Sequence, residues 1–184
     1  HMVVQVVDDT QGVTLASAAG TIDNVAQMVS ENPAAVRCLR TVPSPWFVSS
    51  AELAESLRTE DAVAKVFDLA RSATLTITGV GAVRPGGSAV RTGMVTDADV
   101  AAYAAAGAVG DMLGHWFGAR GQVIQGSASD RSVSLSLEEL RALPNVVGVA
   151  AGAEKVEAIR GAIAGRYLDV LVTDEPTAQA LLGR

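Results

Sequence analysis

Lysine is scarce in this chain: among 184 residues only Lys65 and Lys155 carry an ε-ammonium. Lys155 ends the run Ala150-Ala151-Gly152-Ala153-Glu154-Lys155, which follows the apolar stretch Val146-Val147-Gly148-Val149. A cation where a helix begins opposes the macrodipole and costs some free energy. Three readings suit a sequence that accepts this cost. Lys155 can stand beside a bound anion, or form a Schiff base with a carbonyl as a desolvated amine. Or it can face solvent, paired with Glu154, Glu157 or Asp111.

Three further clusters carry polar chemistry. Thr78-Gly79-Val80-Gly81 lies at the end of a β-branched run. Glycines there are either a plain turn or a backbone cradle for phosphate or carboxylate. The spacing lacks the third glycine of a dinucleotide fingerprint, and Arg84 and Arg91 follow in a glycine-rich loop. Gly107-Ala108-Val109-Gly110-Asp111 places a carboxylate at a helix-to-strand junction. There it either accepts hydrogen bonds from sugar hydroxyls or satisfies turn amides. Thr173-Asp174-Glu175 either caps a helix or presents a carboxylate at the top of a sheet. His115 alternates with apolar neighbours and reads as structural. No His/Cys grouping has metal spacing, so neither metal nor cofactor is expected.

These groups need a frame. Apolar β-branched runs at Val3–Val7, Val36–Thr41, Thr74–Thr78, Val146–Val149 and Val170–Val172 read as strands. Helical spacing predicts helices over 21–30, 51–57, 60–71, 97–106 and 174–182, capped by Gly20 or Thr21, Ser49 or Ser50, Thr59, Thr96 and Thr173. Ser136-Leu137-Glu138-Glu139 is a capping box. Asp111–Phe117 and Gln122–Gln125 flank Gly118-Ala119-Arg120-Gly121 as a hairpin. The alternation predicts an α/β domain with a largely parallel sheet and one antiparallel hairpin. Ligands of such sheets gather at the carboxyl ends of the strands.

Composition narrows the function. The chain is 49% hydrophobic and 18% charged, with a net charge of −6. A core is available, and a basic face for duplex DNA is not. No apolar stretch reaches the ~20 residues of a membrane helix, and no signal peptide is visible, so no membrane partner and a cytoplasmic location are expected. Cys38, the single cysteine, reads as a small buried hydrophobe. His1-Met2 reads as an expression-tag remnant.

In order and spacing, Gly79-Val80-Gly81, Ser88–Gly93, Gly107–Asp111, Phe117–Gly121, Ser136–Leu140, Ala150–Ile159 and Leu171–Ala178 resemble the effector-binding domain of SorC-type bacterial transcription regulators. The resemblance implies a three-layer α/β sandwich with a mostly parallel sheet, similar to sugar-phosphate isomerases and glucosamine-phosphate deaminases. It implies a phosphorylated sugar as effector and a homo-oligomer, dimer or tetramer. By motif, Gly79, Gly81, Asp111, Gly152 and Lys155 fall where the family meets its effector. Arg91 falls at a phosphate contact, and Glu154 and Asp174 at outer positions. Two departures stand out. Residues 3–184 are expected to be a partial effector domain, without the helix-turn-helix that reads DNA and without a first phosphate loop. Ala151 also replaces the first glycine of Gly-Gly-x-x-Lys. The expectation is a sensor domain rather than an enzyme. The alternatives are an isomerase or deaminase with Asp111 as base, and a bare oligomerisation module.

Overall fold

The computed structural model describes residues 5–6, 40–91, 93 and 95–183. The expected loop 8–19, helix 21–30, most of strand 36–41 and Cys38 lie outside the described residues. Within them, polar side chains set the helix starts. The Ser50 hydroxyl accepts from Leu53 N and opens α1 (Ala51–Thr59). Helix α2 (Asp61–Arg71) buries Val63, Phe67 and Ala70. After the short α3 (Ser88–Arg91), Thr96 and Asp99 form a capping box on α4 (Asp97–Ala105). A short α5 (Ser127–Asp130) precedes α6 (Leu137–Ala142), which Ser136 and Glu139 cap in the same reciprocal way. Each box satisfies amides that the first helical turn would leave unpaired. Two sequence-based caps shift by one residue: Glu60, not Thr59, precedes α2, and Asp174, not Thr173, caps the last helix.

Two sheets take the place of the single, mostly parallel one. In the first, β2 (Thr76–Gly79), β7 (Val146–Val149) and β8 (Val170–Val172) run parallel, and β1 (Gln5–Val6) pairs antiparallel with β2. In the second, β3 (Gly81–Ala82), β4 (Ala108–Met112), β5 (His115–Gly118) and β6 (Val123–Ile124) are antiparallel throughout. The chain crosses from the first sheet to the second through one residue, Val80. The strand expected over Asp111–Phe117 is folded back on itself. Leu113 (φ 56°) and Gly114 (φ 79°) make a two-residue turn, and positive φ at both positions suits the right-handed twist of the flanking strands. Leucine is a poor residue for that geometry, so the turn is invisible in a one-residue scan. Its carbonyl accepts from Ser134 Oγ at 2.7 Å, which holds the turn from outside.

One core joins the two sheets. It holds Phe67, Met112, Phe117, Leu140, Val146, Ile159 and Tyr167. A 3-10 turn (Ala153–Lys155) runs into α7 (Val156–Ala164), whose buried face is Val156, Ala158, Ile159, Gly161 and Ala162. A second cluster lies around Val95, Val100, Tyr103 and Trp116. There the Tyr103 and Trp116 rings stack 4.1 Å apart. The chain then passes through β8 to α8 (Glu175–Leu181).

Candidate functional site

Parallel pairing brings two chain exits to one place. Gly79 at the end of β2 stands beside Val149 at the end of β7. From Gly79 the chain steps through buried Val80 into β3, where Gly81 pairs with Asp111 of β4. From Val149 it steps through Ala150 to Gly152 and the 3-10 turn that ends at Lys155. A carboxylate and an ammonium distant in sequence therefore meet at the carboxyl end of the parallel sheet, where ligands of such sheets bind.

Asp111 lies within β4 rather than at a helix–strand junction. Its side chain lies flat across Gly81: a Cβ built there would stand 2.0 Å from Asp111 Oδ1. Glycine at position 81 is thus a steric requirement of the carboxylate's position. Burial pushes the Asp111 carboxyl up to about 6, while the Lys155 ammonium pulls it the other way. Desolvation disfavours the charged form and the nearby cation favours it; here desolvation wins. The two side chains feel each other without forming a salt bridge. No hydrogen bond from a described group offsets the desolvation of this carboxylate.

The loop that carries Lys155 is pinned by Thr177, which no local motif marks as part of a site. Gly152 adopts φ 117°, and its N–H donates to Thr177 Oγ1 at 2.8 Å. Thr177 is 1% exposed, and its own N–H donates to Asp174 Oδ1. The signal was present: Thr177 stands three residues after the helix cap, where its amide must find an acceptor. Thr173 Oγ1, at the end of β8, is buried without a hydrogen-bond partner.

The remaining expected residues divide. Glu154 is exposed, with its carboxylate folded back against Gly152. Asp174 is spent as the cap of α8, and the Thr177 hydrogen bonds hold its carboxyl below the usual range. Arg91 is exposed and donates to Gly86 O at 3.1 Å. It holds its own loop, and no described contact ties it to Asp111 or Lys155. His115 points elsewhere, with Nε2 3.1 Å from Ser134 Oγ. Burial first, then Arg58, depresses its value to about 4, so it is neutral at pH 7. Among the described residues no group of three His, Cys, Asp or Glu could hold a metal. None of the helices they form is long and apolar enough to cross a membrane. The arrangement can accept hydroxyl protons at Asp111 and attract an anion at Lys155, the two needs of a polyhydroxylated anion.

Comparison with known proteins bears on this chemistry. Residues 1–183 match the model of a sugar-binding domain family. The transcriptional regulator LsrR of Klebsiella pneumoniae is 40% identical over 144 residues, 77% of this chain and 45% of that protein. The erythritol catabolism regulatory protein EryD of Brucella abortus is 38% identical over 143 residues, 78% of this chain and 45% of that protein. The full-length sorbitol operon regulator SorC of Klebsiella pneumoniae has the same fold at a TM-score of 0.68 and 23% identity. That match covers 75% of this chain and 45% of SorC. The chain spans about half the length of the curated relatives it matches.

Proposed function

Because the chain belongs to the family of sugar-binding domains, we propose that it is the ligand-sensing domain of a sugar-responsive transcriptional regulator, with a phosphorylated sugar or related metabolite as effector. The observation that carries this reading is the convergence of Asp111 and Lys155 at the end of the parallel sheet. Lys155 meets the effector's anionic group, and Asp111 accepts from its hydroxyls. Gly79, Gly81 and Gly152 let the backbone approach, Glu154 and Asp174 stand at the rim, and Arg91 reaches the phosphate from its loop. The names of LsrR and EryD, both regulators, support a sensing role.

On this reading DNA is contacted by another part of the parent protein, which works in the cytoplasm. The effector shifts an assembly equilibrium of a homo-oligomer, through different affinities for the two states. Half-exposed valines on β8, the outermost strand of its sheet among the described residues, support association (Val170 50%, Val172 51%), since exposed apolar surface on a strand can be buried against a second copy. The reading includes kinship in fold with sugar-phosphate isomerases and glucosamine-phosphate deaminases, supported by the parallel β2-β7-β8 order. An isomerase or deaminase activity finds less support, because the neutral His115 is turned toward Ser134 rather than Asp111.

The test is a thermal-shift screen of sugar phosphates, with a turnover assay on every hit. Stabilisation without product is expected, and Lys155→Met should lose the shift while keeping the melting temperature of the ligand-free chain. Product formation would return the enzyme reading. Undiminished stabilisation of Lys155→Met would move the site elsewhere.

A further inference from the structure

A cavity of about 460 Å³ lies apart from Asp111 and Lys155. Its volume falls within the range of small-molecule sites. The walls come from α1, α2, β5, β6, α5 and α6, and neither Gly81, Asp111, Gly152 nor Lys155 lines it. Ala64, Phe67, Val123 and Leu137 supply apolar surface beside the polar side chains of the lining.

The polar lining is fixed in advance. Arg58 donates to Ser132 O through Nη2 and reaches Glu55 through Nη1. That anchors the guanidinium, yet its Nε–H is buried without any partner. Arg71 is held by Asp68 and Glu139. At the mouth, Glu138 is exposed and adds acceptor oxygens. Four carboxylates line the cavity (Glu55, Asp130, Glu138, Glu139) against two guanidiniums, Arg58 and Arg71. The field therefore repels phosphate, whereas donors and acceptors beside an aromatic wall suit hydroxyls and C–H faces.

We propose that this cavity is a second binding site, for a small neutral polyol or unphosphorylated sugar, separate from the anionic site at the sheet end. The proposal does not depend on the function proposed for Asp111 and Lys155, and the variants below separate the two.

The probes are erythritol, sorbitol and glucose, titrated to high millimolar against the 184-residue chain by saturation-transfer NMR. Saturable binding of at least one is expected. Arg58→Lys keeps the charge and replaces the anchored planar guanidinium of the wall with a mobile ammonium, so it should weaken that binding about tenfold, the worth of one charge-assisted hydrogen bond. Val123→Trp should fill the cavity and abolish binding. Lys155→Met should leave it unchanged. Absence of saturable binding by all three probes overturns the proposal. So does binding that survives Arg58→Lys undiminished, or that disappears in Lys155→Met. Should Val123→Trp fail to fold, Arg58→Lys decides alone.

Discussion

Asp111 carries its proton to a higher pH in the folded chain than in the unfolded one, with a value of about 6 against 3.8. Between those values the unfolded chain binds fewer protons, so stability falls as pH rises from 3.8 to about 6. The contribution is complete below that window and gone above it. The full shift corresponds to about 3 kcal/mol, and relaxation and water penetration around the buried charge reduce it to roughly 1–2 kcal/mol. Asp111→Asn should therefore raise the melting temperature of the ligand-free chain at pH 7 by roughly 2–6 °C and flatten its pH dependence between pH 4 and 6. The same change should abolish stabilisation by sugar phosphates. A neutral or destabilising Asp111→Asn at pH 7 would mean that the carboxylate has a compensating partner. Gly81→Ala puts a methyl where the carboxylate lies. It should cost about 1–3 kcal/mol, read by chemical denaturation, and weaken effector binding by displacing Asp111. The identity of Asp111 and Lys155 was legible as chemistry. The steric reason for Gly81 was not, because it depends on a cross-strand pairing that no local spacing encodes.

Among the elements, helix starts were the most readable because a cap is a local bargain between one side chain and amides two or three residues on. Ser50, Thr96 and Ser136 all stand where the sequence put a cap. Strand ends were less readable. The turn at Leu113-Gly114 lacks a turn-forming first residue and is held by serines nineteen and twenty-one residues away in sequence. Thr177 shows the same limit at the candidate site, since its hydroxyl serves Gly152 across 25 residues. Thr177→Val should cost about 1–2 kcal/mol by stranding the Gly152 amide and should weaken effector binding by loosening the Lys155 loop. Thr177→Ser should restore both. If Thr177→Val lowers stability while leaving effector affinity intact, the loop does not position the site.

For the whole molecule, the unexpected result is the second sheet. A short step at Val80 and a tight turn at Leu113 divert four strands from the parallel sheet into an antiparallel one. That diversion carries Asp111 to the same end of the parallel sheet as the Lys155 loop. The outer strand β8 exposes Val170 and Val172 by about half, and neighbouring Val149 is 48% exposed. Val172→Lys should lower the association constant measured by sedimentation equilibrium, with a change of under about 0.5 kcal/mol in monomer stability, as for other surface substitutions. A melting temperature independent of concentration and a monomer at every loading would remove the assembly step from the proposed function.

The amino-acid order alone settled what depends on neighbours in the chain: most helix starts to within a residue, the alternation of helix and strand, and a rare lysine close behind a glycine. Its motifs also pointed to the family. Tertiary structure decided what depends on residues far apart. It set the sheet to which each short strand belongs, the flat seat of the Asp111 carboxylate on Gly81, the Thr177 tether, and the turning of His115 toward Ser134. The physical reason is range: capping and amphipathic spacing act within a few residues, whereas strand pairing and desolvation are set by whichever segments the folded core brings together.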